Sequence, residues 1–100
     1  MLNEYVTLIQ DLNSIRISTN NKLKRINSQI RLINKTLYLR KDQDLLISCK
    51  SNRLLIDKLL SATKVLIKQV EQDAFRNISS DFDDFKKSYS ELKKRYFDLE

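Results

Sequence analysis

None of the 100 residues is glycine, proline, histidine or tryptophan. An ordinary globular chain of this length would hold about 7 glycines and about 5 prolines. Tight turns draw on glycine for positive φ and on proline for a φ fixed near −65°. A chain with neither has almost no means of making hairpins, which excludes a sheet protein. The lack of histidine removes the commonest general base at neutral pH. The single cysteine, Cys49, forms no intramolecular disulfide, assembles no metal cluster and has no histidine to activate it as a nucleophile. It is expected to be a small buried apolar residue, as free cysteines usually are, and it suits a reducing compartment. Long hydrophobic runs are missing too. Leu45-Leu46-Ile47 and Leu54-Leu55-Ile56 are as long as any, against the roughly 20 apolar residues a membrane span needs. No segment reads as a signal peptide, so any membrane attachment is expected to come from sequence outside these residues.

What remains is Leu, Ile, Lys, Asn, Asp and Ser, which leaves helix as the fold class. The length fits one domain. The net charge of +6 is uneven. Residues 1–41 hold eight Lys/Arg against Glu4 and Asp11; residues 42–72 hold five against four acids, and residues 73–100 six against seven. The first segment carries the excess.

Apolar periodicity predicts three helices. Helix one spans about 4–39, on a row of Leu8, Leu12, Ile15, Thr19, Leu23, Ile26, Ile30, Ile33 and Leu37. Steps of three and four keep that row on one helical face. Thr19 is its weak link, because Ser18-Thr19-Asn20-Asn21 has low helix propensity; a kink or break there is the alternative. After a turn at Arg40-Lys41-Asp42, with Asp42 or Asp44 as cap, helix two spans about 43–70. Its row is Leu45, Cys49, Asn52, Ile56, Leu59, Thr63, Leu66 and Val70, widened by Leu55 and Ala62. The wider stripe implies contact with two neighbours. Helix three spans about 74–100 on Phe75, Ile78, Phe82, Phe85, Tyr89, Leu92, Tyr96 and Leu99, a strict seam of the kind near-parallel packing uses. Asp73 is a plausible cap for it, and Ser80 with Asp83 resembles a capping box. One continuous helix from 43 to 100 is the alternative. The expected architecture is all-α, an elongated antiparallel three-helix bundle running up-down-up, over residues 1–100 as a single domain.

The chemical inventory is thin. Asp81, Asp83 and Asp84 cluster, but a calcium loop needs a glycine at its turn and a terminal glutamate. First-turn carboxylates facing a helix dipole account for the cluster. Asn34-Lys35-Thr36 and Asn77-Ile78-Ser79 match the glycosylation pattern, read as chance in a chain without a leader. No catalytic, cofactor-binding or metal site is expected. The surface feature that stands out is a basic strip on helix one, Arg16, Lys24, Arg31 and Lys35, recurring at intervals of eight, seven and four. It is either a solvated face or a patch for an acidic protein or an anionic membrane surface. Nucleic acid is disfavoured, because no base-stacking aromatics lie among the basic residues.

Three stretches carry a family resemblance. Ile30-Arg31-Leu32-Ile33-Asn34-Lys35-Thr36-Leu37 leads into Arg40-Lys41-Asp42-Gln43-Asp44, Lys58 to Lys68 forms the middle of helix two, and Ser80-Asp81-Phe82-Asp83-Asp84-Phe85-Lys86-Lys87 opens helix three. With their order, they resemble the amino-terminal three-helix (Habc) domain of syntaxin-type SNARE proteins, the endosomal and vacuolar members most of all. The glycine that family often has in its first turn is absent here, and so are a SNARE motif and a membrane anchor. The resemblance implies a non-catalytic regulatory domain in intracellular membrane fusion. Such a domain controls access to a SNARE motif and binds Sec1/Munc18-type proteins or tethers. It would be monomeric in isolation and cytoplasmic, at the cytosolic face of endosomal, vacuolar or Golgi membranes. The alternative is a structural helical subunit of a larger assembly, such as a kinetochore or tethering complex.

Overall fold

A computed structural model describes residues 2–40, 43–76 and 82–99, without the side chains of residues 2, 36–40, 75 and 76. The described residues form α1 (Leu2–Arg40), α2 (Gln43–Arg76) and α3 (Phe82–Asp98), and no strand occurs among them. Tyr5 of α1 meets Asp73 of α2, while Ile26 and Ile30 pack with Leu46, Cys49 and Ile56, so α1 and α2 run antiparallel. Phe82 starts α3 against Tyr5, and Leu99 ends beside Ile26 and Ile56. The chain is an all-α three-helix bundle, up-down-up. Its extents of 58 × 17 × 16 Å are set by α1, whose 39 residues rise about 58 Å.

The row expected on α1 forms its core face from Leu8 to Ile33, and the Leu37 side chain lies outside those described. Leu8, Leu12, Ile15, Thr19, Ile26 and Ile30 are buried, with Leu23 and Ile33 half-buried. No break interrupts the helix at Ser18–Asn21. Elsewhere on α1 the polar side chains are accommodated locally: the hydroxyls of Thr7, Ser14 and Ser28 and the Asn13 amide each donate to the carbonyl four residues back. This satisfies groups that would otherwise compete for the backbone. Thr19 is the exception. It is fully buried, and its Oγ1 has no hydrogen-bond partner among the described residues, whereas the equally buried Thr63 donates to the Leu59 carbonyl at 2.7 Å. Replacing the Thr19 hydroxyl by a methyl keeps the shape and removes an unsatisfied buried oxygen. Thr19→Val should therefore stabilise the bundle by about 1 kcal/mol, seen as a raised denaturant midpoint at unchanged slope.

Helix two buries the expected Cys49, Ile56, Leu59, Thr63, Leu66 and Val70, and departs from expectation at its amino-terminal row positions and in length. Leu46, not Leu45, is buried, and the core row continues through Cys49, Ile56, Leu60, Thr63, Ile67 and Val70. Leu59 and Leu66 flank it towards α3, while Asn52 and Leu55, expected on this face, are exposed. The physical reason is the reach of α3: its 17 residues rise about 25 Å, so it lies along only part of α2. The helix also runs six residues past Val70, to Arg76. Asp73 is not a cap of the third helix but a buried side chain within α2, where its carboxylate accepts a 2.6 Å hydrogen bond from the Tyr5 hydroxyl. That tie, together with Glu71-Gln72-Asp73-Ala74 offering no breaker, extends the helix.

Helix three accordingly begins at Phe82, not near 74. Phe75 falls in the last turns of α2, and Ile78 and Ser80 lie outside the described residues, as do Lys41 and Asp42 of the first turn. Asp83 and Asp84 occupy the first turn of α3, where the dipole favours them. The seam holds from Phe82 onward. Phe82 and Leu92 are buried; Phe85, which its seam position predicts to be largely buried like Phe82, is only half-buried, as are Tyr89, Tyr96 and Leu99.

Candidate partner-binding surface

The four residues of the basic strip are not equivalent. Lys24, Arg31 and Lys35 are exposed and, at about 100° per residue, fall within about 40° of one another on the side of α1 away from its core row. Arg16 is turned at least about 60° back from them. It is half-buried, and its Nε donates to Asn13 Oδ1 at 3.1 Å. The strip thus begins at Lys24. Towards the amino terminus the same side is apolar, with Val6 and Ile17 about half exposed. No acidic residue lies between Asp11 and Asp42 to neutralise the basic part.

Other lysines are engaged between helices or along one. The Lys22 ammonium lies 5.3 Å from the centroid of the Tyr96 ring, which ties α1 to the carboxyl-terminal half of α3. On α3 itself, Lys86 lies over Phe82 and Lys93 over Tyr89. Such contacts let the aliphatic stem cover apolar surface while the charge faces the ring. The Tyr89 hydroxyl is held above its ordinary pKa, first by burial and then by the charge of Asp11 across the α1–α3 contact.

Two concavities flank α3. One, of about 440 Å³, lies between the start of α1 and α3 and mixes Glu4, Asp11 and Lys86 around Leu8 and Phe82. The other, of about 410 Å³, is a groove between α2 and α3. Its floor is Ala62, Val65, Leu66 and Leu92, and its rim is Gln69, Glu91 and Arg95. A smaller recess at Leu55, Leu59, Asp98 and Leu99 shares Arg95 with the groove and extends it towards the end of α3. Val65 and Leu55, each a little over half exposed, give it an apolar lining that water now covers. The sequence marked helix two as wide enough for two neighbours but did not show that Val65, off its seam, would line an open groove.

Compared with models of protein families, with curated proteins and with solved structures, the chain gives no match. No described helix is long and apolar enough to cross a membrane.

Proposed function

We propose that this bundle is a non-catalytic regulatory domain of the syntaxin-like type, acting in intracellular membrane fusion by binding helical protein partners. The α2–α3 groove carries the proposal: an apolar floor with a charged rim, open along its length, is what a helix with a heptad seam requires. In this function the groove receives a SNARE motif, and the basic strip of α1 draws in a Sec1/Munc18-type protein or tether on the opposite side. The domain works at the cytosolic face of an endosomal, vacuolar or Golgi membrane. An exposed strip of one sign contributes more to association rate than to final affinity.

The test separates the two surfaces. Reversing Lys24, Arg31 and Lys35 to Glu should slow association of the Sec1/Munc18-type partner by about tenfold or more at low salt. The helical circular dichroism should stay unchanged. Val65→Asp should instead weaken capture of a SNARE-motif helix and leave the partner's association rate alone. A wild-type rate for the triple reversal at every salt concentration would reduce the strip to a solvated face.

The second reading, a structural subunit of a larger helical assembly, is favoured by one observation: Leu32, Leu45, Ile47, Leu54 and Leu55 are all about half exposed or more. Light scattering decides between them. A mass near one chain supports the regulatory domain, and a stable oligomer at micromolar concentration supports the subunit.

A further inference from the structure

Asp11 and Lys22 mark the side of α1 that faces α3: the first lines a cavity with Tyr89, and the second lies over the Tyr96 ring. Turning about 100° per residue, Arg16, Lys24, Arg31 and Lys35 stand about 130° or more round the helix from that line. On α2 the line facing α3 runs through Leu59 and Leu66, which share a core cluster with Leu92. Lys50, Arg53, Lys64 and Lys68 stand about 130° or more from it by the same measure. The eight cations therefore share the face of the α1–α2 pair that lies opposite α3. Six of them are exposed, while Arg16 and Arg53 are half-buried nearer the seam between the two helices. Two acids, Asp57 and Glu71, stand as far round among the described residues. Eight cations against two acids equal the net charge of the whole chain, +6. All other residues together balance, at eleven Lys/Arg against eleven Asp/Glu.

The shape and chemistry of this face select its partner. The concavities described above border α3, on the other side of the bundle. Along α1 the face carries a column of neutral amides, Asn13, Asn20, Asn27 and Asn34, one every seven residues. A partner helix needs an apolar seam to bury, and this column offers none. No aromatic ring stands among the described side chains of the face, so the bases of a nucleic acid have nothing to stack on. The cations are single charges, spread at uneven intervals over roughly 30 Å of each helix. A folded acidic protein would have to match all of those intervals at once. A fluid leaflet of anionic lipid meets any spacing, because each headgroup diffuses to its own cation. We propose that the face of α1 and α2 opposite α3 lies on the anionic surface of a lipid bilayer, with Lys24, Arg31, Lys35, Lys50, Lys64 and Lys68 against the headgroups. The α2–α3 groove then stays clear of the membrane. This inference goes beyond the fusion role proposed above and does not rest on it. Where a protein partner also uses Lys24, Arg31 and Lys35, it and the bilayer compete for them.

The probe is a phosphatidylserine–phosphatidylcholine vesicle, sedimented with the whole chain. It should carry the chain down at low salt and release it as salt rises, whereas phosphatidylcholine alone should not carry it. A cation beside an anionic leaflet strengthens binding about fivefold. The double variant Lys50→Glu/Lys64→Glu, at two exposed positions of α2, should therefore weaken capture by about twentyfold or more with the circular dichroism intact. Lys87→Glu/Lys94→Glu removes the same net charge from exposed positions of α3, across a bundle 16 Å thick. At physiological salt the Debye length is about 8 Å, so this second variant should weaken capture by about threefold at most. Equal weakening by the two variants would overturn the proposal, because total charge and not the face would then decide binding. Equal capture by phosphatidylcholine alone would overturn it, as would no capture by the anionic vesicles at low salt. A duplex oligonucleotide that binds more tightly than the vesicles at the same salt, and is lost in Lys50→Glu/Lys64→Glu, would overturn it too and make the face a nucleic-acid surface. Because vesicles alone are the probe, its failure would leave the α2–α3 groove and its helical partner standing.

Discussion

Phe82→Ala should lower the unfolding free energy by about 3–5 kcal/mol, a large share of the roughly 5–15 kcal/mol that holds a domain of this size together. Phe82 is the first residue of α3, yet its ring is 7% exposed and lies 4.8 Å, centroid to centroid, from Tyr5 at the start of α1. It thus closes the end of the core where all three helices meet, among Tyr5, Leu8 and Val70. Truncation would remove the ring from that cluster and leave a cavity that the helix ends cannot easily collapse into. Phe85→Ala, at a half-buried position packed on the edge of the same cluster, should cost clearly less. Arg31→Ala on the exposed strip should stay within about 0.5 kcal/mol. Urea titrations of the three variants check the order. Equal midpoints for Phe82→Ala and Phe85→Ala would mean that α3 packs in a different rotation.

The difference between the two phenylalanines also shows how far the sequence was legible. Three-and-four spacing on α1 marked its buried row almost residue for residue, because α1 packs all along its described side chains and one face is always inside. On α3 the same spacing located the seam but not the depth of each position. Depth depends on how many neighbours stand opposite, and Phe85 has fewer than Phe82. On α2 the apolar residues are too many for spacing to choose among them: Leu45-Leu46 and Leu54-Leu55-Ile56 each offer several registers. The choice is made by where α3 ends, which is tertiary information. Of the strip, Lys24, Arg31 and Lys35 could be placed from α1's own periodicity. Arg16 is set apart by the same periodicity, at least about 60° from the other three at about 100° per residue, which intervals of eight, seven and four only approximate as one strip.

The least legible residue was Asp73, and the second large effect follows from it. An aspartate between two helical patterns, with no glycine or proline nearby, is most economically read as a cap. In the fold it is 8% exposed, and the Tyr5 hydroxyl donates to it from a residue that is 4% exposed. Hydrogen bonds to charged groups contribute about 1.5–3 kcal/mol, and removing one partner also leaves the other buried with its desolvation uncompensated. Tyr5→Phe keeps the ring against Phe82 and deletes only the donor, so it should cost about 2–3 kcal/mol. If that cost comes mainly from the stranded carboxylate, the double variant Tyr5→Phe/Asp73→Leu should recover most of it, since no polar group of the pair is then left buried. A double-mutant cycle by urea denaturation gives the coupling, expected at about 1 kcal/mol or more. Strict additivity of the two substitutions would mean that the carboxylate finds water or another donor in solution. The extension of α2 past Val70 would then need a cause other than its tie to α1.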